Sequence, residues 1–354
     1  MIKQREKKKF KRQKIKVQNI EVGDAEEFSE KEIIEEKRAV SKTEDKARLN
    51  QKNVIKLKKG RVLEVNSNYK CIVKIATKTK ICTLGGRLKQ IKFKTRNIVS
   101  VGDFVKISEF NRIEEILPRK NVLSRFSDNN FQKEVIISSN VDQVVITSSV
   151  KQPEINFGLI DRYLCSAALE NVFPIICLNK IDLLENIDAL KKEMQFYVDN
   201  EITVIYVSAK EKIGLQKLKE KLKNRDTVFS GHSGAGKSSI INQIQPNLNL
   251  RVAEISEYSQ KGTHTTSSTK MIEWDFGGYL VDTPGIKTFG LERENITELP
   301  KLFPGFKKLA KNCKFNDCSH THESNCAVKN AVEKGDFPMK KYESYLRILE
   351  SLKE

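Results

Sequence analysis

Eight residues, GHSGAGKS from Gly231 to Ser238, constrain this chain more than any other stretch. They fit G-x-x-x-x-G-K-[ST] and stand between a short apolar run, DTVFS, and the start of a helical pattern, SSIINQI. A glycine-rich turn in that setting lets backbone N–H groups and a helix N-terminus close around a polyphosphate. The stretch therefore predicts a nucleotide site built from Gly231, His232, Ser233, Gly234, Ala235, Gly236, Lys237, Ser238 and Ser239. In it Lys237 reaches the β and γ phosphates and the Ser238 hydroxyl ligates Mg²⁺. The surroundings agree: VDQVVIT, FPIICLN, TVIYVSA, DTVFS and GYLVDT are short Val/Ile-rich runs, and stretches such as FGLIDRYLCSAALEN between them have apolar residues at helical spacing. Alternation of this kind predicts a parallel sheet with helices on both faces.

A phosphate loop serves ATPases and GTPases alike, so the base must be read elsewhere. NKID, Asn179 to Asp182, follows the run FPIICL directly. There the Asp182 carboxylate is placed to accept from guanine N1–H and the exocyclic amine, a donor pair that adenine lacks; a mismatch would leave buried polar groups unpaired. SAK, Ser208 to Lys210, closes the run TVIYV and supplies a backbone N–H for guanine O6, with Ala209 and Lys210 beside it. Asn179, Lys180, Asp182 and Ser208 complete that wall. DTPG ends the run GYLV; Asp282 is expected to hold Mg²⁺ through a water and the Gly285 amide to sense the γ-phosphate. Between the phosphate loop and DTPG lies KGTHTTSST, where Thr265 or Thr266 offers the hydroxyl that completes the Mg²⁺ shell, assigned to Thr266.

The order of these boxes is rotated. Most GTPases run phosphate loop, switch Thr, DxxG, NKxD, SAK, whereas this chain runs NKID, SAK, GHSGAGKS, Thr loop, DTPG. In that order the chain resembles the circularly permuted, ribosome small-subunit-dependent GTPases of the RsgA/YjeQ family, from about Val54 to the C-terminus. The resemblance implies an N-terminal OB-fold, a permuted GTPase domain and a C-terminal zinc domain. It also implies GTP hydrolysis stimulated by the small ribosomal subunit, contact with its rRNA, and a role late in subunit maturation. The alternative is an RNA-binding module whose affinity GTP regulates, with incidental hydrolysis.

Two further stretches match the family. CKFNDCSHTHESNC places Cys313, Cys318, His320 and Cys326 at the family's zinc spacing; three thiolates and an imidazole suit one closed, structural zinc per chain, with His322 as the rival ligand. The residue after DTPG is Ile286, where many GTPases carry the Gln that orients water. The family's GxHTT pattern puts His264 in that role here.

The remaining organisation follows from composition. Residues 1–52 are dominated by Lys and Glu, basic then acidic, and cannot bury enough apolar surface to offset ordering entropy, so a disordered tail is expected, touching RNA or folding back on itself. From residue 53 to 120 the segments GRVLEVNS, YKCIVKIA, KTKICTLGG, NIVSVGDFVKIS and NRIEEILPR alternate with period two, as in a five-stranded OB barrel that binds oligonucleotides or serves only as scaffold. The permuted GTPase unit is assigned residues 121–290 and the zinc-binding helical unit 291–354. A net charge of +18 points to polyphosphate partners, nucleic acid or a membrane surface. No apolar run approaches the ~20 residues that span a bilayer, and the start MIKQREKKKFKRQKIK has no hydrophobic segment of a signal. Seven Cys, an odd number and few for this length, fit a reducing compartment. A cytoplasmic monomer without membrane attachment is the expectation, with Cys71, Cys82, Cys165 and Cys177 as small core residues.

Overall fold

The computed structural model describes residues 57–66, 70–90, 97–126, 134–248, 269–282 and 291–353. The charged stretch 1–52 lies outside them, as do His264, Thr265, Thr266, Gly285 and Ile286.

The alternating segments near the start form β1 (Lys58–Val65), β2 (Cys71–Ile75), β3 (Lys78–Leu84), β4 (Phe104–Ile107) and β5 (Arg112–Ile116). Their order is β1-β2-β3-β5-β4, and β4 pairs back onto β1, so the five strands close into a barrel with no free edge between them. Inward positions are apolar: Val62, Cys71, Val73, Cys82, Val105 and Ile113 are all fully buried. Full burial of each aliphatic side chain contributes about 1.5–3 kcal/mol. The run NIVSVGDFVKIS is not one strand, for β4 begins only at Phe104. Before it Gly102 turns at φ +90°, and Asp103, fully buried, takes both Arg119 donors at 2.6 and 2.7 Å and the Ser139 hydroxyl at 2.7 Å. Those side-chain bonds compete with strand pairing and win locally.

The Val/Ile runs become β8 (Gln143–Ser149), β9 (Phe173–Asn179), β10 (Thr203–Tyr206), β11 (Arg225–Ser230) and β13 (Gly278–Asp282), parallel neighbours in the order β10-β9-β8-β11-β13. Alternate residues of β8 serve two cores. Val144 and Ile146 pack with Ile160, Leu164, Met194 and Tyr197 of helices Phe157–Leu169 and Asp188–Asp199. Val145 packs on the opposite face with Leu218, Leu222, Ile240 and Ile241 of helices Leu215–Leu222 and Lys237–Ile244. The chain thus changes face between β10 and β11, and the phosphate loop leaves β11 at the switch point beside β8, where open α/β sheets bind ligands.

The sheet is not purely parallel. β12 (Lys270–Glu273) runs antiparallel to β13, and its other edge meets β1 at Glu64 and Lys270, so sheet and barrel are one eleven-stranded, hydrogen-bonded surface. Ion pairs Lys74–Glu273 and Arg61–Asp226, both at 2.6 Å, brace the junction. A separate hairpin of β6 (Val122–Phe126) and β7 (Glu134–Ser139), absent from the period-two reading, follows the barrel. It is tied to the barrel where Asn97 Nδ2 donates to the Ile136 carbonyl and the Ser138 hydroxyl to that of Val101.

Beyond residue 291 the structure is helical, with Leu299–Leu302, Phe306–Leu309, Ala327–Lys334 and Met339–Ser351 around Phe303, Phe306, Phe337 and Tyr345. Cys165 of helix Phe157–Leu169 joins this core. All four cysteines expected as core residues are fully buried.

Candidate functional site

The loops that matter leave the carboxyl ends of neighbouring parallel strands: Asn179 ends β9, Ser208 follows β10, Gly231 follows β11 and Asp282 ends β13. Gly231 sits at φ +135°, and a Cβ there would come within 2.0 Å of the Thr147 carbonyl oxygen. Gly236, at φ +86°, would place a Cβ 2.2 Å from Asn179 Nδ2. Both positions therefore require glycine on grounds of conformation and of space. Helix Lys237–Ile244 starts directly after, with Ser238 buried and Ser239 half-buried in its first turn.

Lys237 Nζ donates to the carbonyls of Gly231 at 2.6 Å and His232 at 2.8 Å, so the ammonium spans the mouth of the loop. Burial pushes its pKa down to about 8. A desolvated cation among carbonyl oxygens is a ready partner for phosphate oxygens. His232 Nδ1 lies 2.8 Å from the Ser233 carbonyl and so carries the proton. Ser233 and Gly234 are exposed, Ala235 is buried.

Asn179 joins three boxes. Its Nδ2 donates to the Ala235 carbonyl of the phosphate loop at 3.0 Å, and its Oδ1 accepts from the Ala209 amide of the SAK box at 3.1 Å. Asp182 lies in the 3-10 turn Ile181–Leu183, and its Oδ1 accepts from the Ser208 hydroxyl at 2.5 Å. That hydroxyl accepts in turn from the Glu211 amide at 3.0 Å, which fixes its proton toward the carboxylate. Lys180, at φ +65°, donates to the carbonyl of Gln152. Lys210 is exposed and pairs loosely with Glu211. The Gln152–Pro153 turn after β8, whose proline lies 3.4 Å from where a Gly234 Cβ would stand, was not read from the sequence. Its only signal is its place after a parallel strand.

Burial pushes the Asp282 carboxyl up, opposed by Lys270, its partner across β12 and β13. A half-compensated carboxylate at the mouth of the site fits a nearby cation.

Away from the nucleotide loops, the ligand atoms of Cys313, Cys318, His320 and Cys326 lie within 4.8 Å of one another, a set that can hold a metal ion. The pairs Cys313–His320, Cys326–His320 and Cys313–Cys326 are 3.6, 3.4 and 4.0 Å apart. Tetrahedral zinc bonds would give edges of about 3.5–3.8 Å. His322 is exposed and turned to the Thr321 hydroxyl, outside the set. The loop is anchored from the last helix: Tyr342 donates to the His320 carbonyl at 2.7 Å and Tyr345 to that of Ser319 at 2.5 Å.

Known proteins share this arrangement. The RsgA GTPase family profile matches residues 116–292. The small ribosomal subunit biogenesis GTPase RsgA of Flavobacterium johnsoniae is 37% identical over 282 residues, 77% of this chain and 87% of that one. The crystal structure of YjeQ from Thermotoga maritima superposes with a TM-score of 0.67 at 32% identity, covering 84% of this chain and 98% of that one. YloQ, a circularly permuted GTPase, gives 0.63 at 28% identity, covering 84% and 95%. On the family match over residues 116–292 and the identity and coverage of these relatives, the chain belongs to the RsgA GTPase family, enzymes that act on GTP.

Proposed function

We propose that this GTPase binds the small ribosomal subunit and hydrolyses GTP on it during late maturation. The observation that carries the nucleotide reading is Asn179, whose amide links the phosphate loop to both guanine boxes. The printed name of the Flavobacterium relative, with the +18 charge and the closed barrel, supports the ribosomal partner. In this reading Asp182 and the Ser208–Lys210 turn select guanine, and Gly231–Ser239 hold the phosphates. Ser238, Thr266 and Asp282 would hold Mg²⁺, which would supply neutralisation of phosphate charge. Thr265 and Gly285 belong to the segments that sense the γ-phosphate.

The Cys313, Cys318, His320 and Cys326 set takes zinc: three soft thiolates and one imidazole at tetrahedral separations leave no open position, so the metal is structural. The chain acts as a monomer in the cytoplasm; no helix among the described residues is long and apolar enough to cross a membrane.

Water activation falls to His264, since Ile286 has no hydrogen-bonding group. The test is hydrolysis with and without purified small subunits. Strong stimulation is expected; equal rates would favour the GTP-regulated RNA-binding module instead. His264→Ala should keep GTP binding and subunit association yet lose about 10²-fold of the stimulated rate. An unchanged stimulated rate would remove His264 from the chemistry.

A further inference from the structure

We infer that Phe110, at the tip of the β4–β5 turn, is a stacking platform for an unpaired RNA base, with Lys78, Lys80 and Arg112 holding the adjoining phosphates. This rests on the RNA-binding part of the function proposed above and names the surface that would do it.

Phe110 is 79% exposed, and Ile81 on the neighbouring β3 is 68% exposed. An apolar ring in water gains nothing for the barrel, whose core is closed without it. The tip that carries the ring is braced by backbone hydrogen bonds. Ser108 N donates to the Arg112 carbonyl at 2.9 Å, Asn111 N to the Ser108 carbonyl at 3.1 Å, and Thr83 N to the Asn111 carbonyl at 3.1 Å. Asn111 itself takes φ +55°, which closes the turn. Its side-chain oxygen accepts from Lys80 Nζ at 3.3 Å, so an ammonium is held at the residue that follows Phe110. Arg112 faces Thr83 across the parallel pair of β5 and β3. Lys78, Lys80 and Arg112 are exposed and make no ion pair among the described residues; Glu109 is the one carboxylate within the tip.

This combination selects its partner. Between residues 57 and 119 Lys and Arg outnumber Asp and Glu three to one. Such a field attracts a polyanion and repels most basic ribosomal proteins. An exposed ring on a hydrogen-bonded turn of a basic surface offers a base its π-face and the backbone its counter-charge, the pairing used in sequence-tolerant single-strand binding. Backbone hydrogen bonds that hold the turn beforehand lower the ordering cost that an unpaired loop would pay on contact.

The experiment uses the full-length protein and a fluorescently labelled single-stranded uridine dodecamer, with affinity followed by anisotropy from 50 to 200 mM salt. Phe110→Ala should weaken binding about 5- to 150-fold with the salt slope unchanged, because stacking releases no counterions. Phe110→Trp should restore it. Lys78→Ala with Lys80→Ala should instead flatten the slope. In subunit-stimulated hydrolysis, Phe110→Ala should raise the subunit concentration needed for half-stimulation and leave the plateau rate and the unstimulated rate alone. Wild-type affinity in Phe110→Ala, with wild-type RNA binding intact, overturns the platform alone, as does loss that Trp fails to rescue. A wild-type protein that binds neither the dodecamer nor the subunit overturns the RNA reading together with the platform.

Discussion

In the proposed function, single side chains, Asp182 and Lys237, set what the site accepts. The Asp182 carboxylate is held by the Ser208 hydroxyl, whose own orientation is fixed by the Glu211 amide. Replacing Asp182 by Asn turns one acceptor into a donor. GTP affinity should fall at least about tenfold, near 1.4 kcal/mol, while xanthosine triphosphate, whose ring carbonyl wants a donor, gains. Competition binding with the two nucleotides measures both. Lys237 adds a pH dependence. Its pKa in the free protein is pushed down to about 8 by burial, and phosphate contact would raise it. GTP affinity should therefore be flat below pH 8 and decline above it, by up to about tenfold per pH unit, because the free lysine must first take up a proton. Titrations from pH 7 to 9 should show that decline, and Lys237→Arg should abolish it.

Strands and loops act as elements in two places. β12 continues the chain beyond the Thr-rich stretch and lies between β13 and β1, so one four-residue strand joins the nucleotide sheet to the barrel. Its short length and exposed Lys270 and Glu273 kept it out of the apolar-run reading. The Cys313–Cys326 loop is the second case: it has almost no regular structure and is held by the Glu323 carboxylate, which accepts from Ser319 and Thr321, and by Tyr342 and Tyr345. Removing the metal should release this loop and the Phe303–Phe306–Tyr345 core beneath it. Metal analysis is expected to find one zinc per chain, and Cys318→Ala to lose it, with protease cleavage appearing between residues 313 and 326. A Cys318→Ala protein as protease-resistant as the parent would remove metal from the stability of this part.

On the scale of the whole molecule, the last helix is joined to two helices that cover the GTPase sheet by a buried charge. Lys341 donates to both oxygens of Asp161, at 3.1 and 3.2 Å, and to the Tyr197 hydroxyl, while Tyr197 donates to Asp161 at 2.7 Å. The ammonium stands 4.1 Å from the Tyr197 ring centroid. Three helices distant in sequence meet there. Burial pulls the Lys341 pKa down and Asp161 opposes it. Lys341→Met leaves a buried carboxylate without its cation and should cost about 3–5 kcal/mol. The double variant Asp161→Leu, Lys341→Met removes both charges and should recover most of that loss. Urea unfolding separates the two outcomes, and equal destabilisation by single and double variants would mean that packing, not charge, is what matters at this junction.

The parts whose chemistry is local are legible in the amino-acid sequence. A phosphate loop needs Gly at the positions of Gly231 and Gly236 because of positive φ and crowding, so a short string reveals it. NKID and SAK declare a base, apolar runs declare buried parallel strands, and four ligands within fourteen residues declare a metal set. The rotated order of the boxes was legible for the same reason, since each box is read without its neighbours. Other features depend on contacts between distant residues. Asn179 reaching Ala235, β1 pairing with β12 and Lys341 meeting Asp161 all require the chain to be folded first. Periodicity reports which way a side chain faces; which other segment it will find there is set by packing and by the satisfaction of buried polar groups across the whole fold.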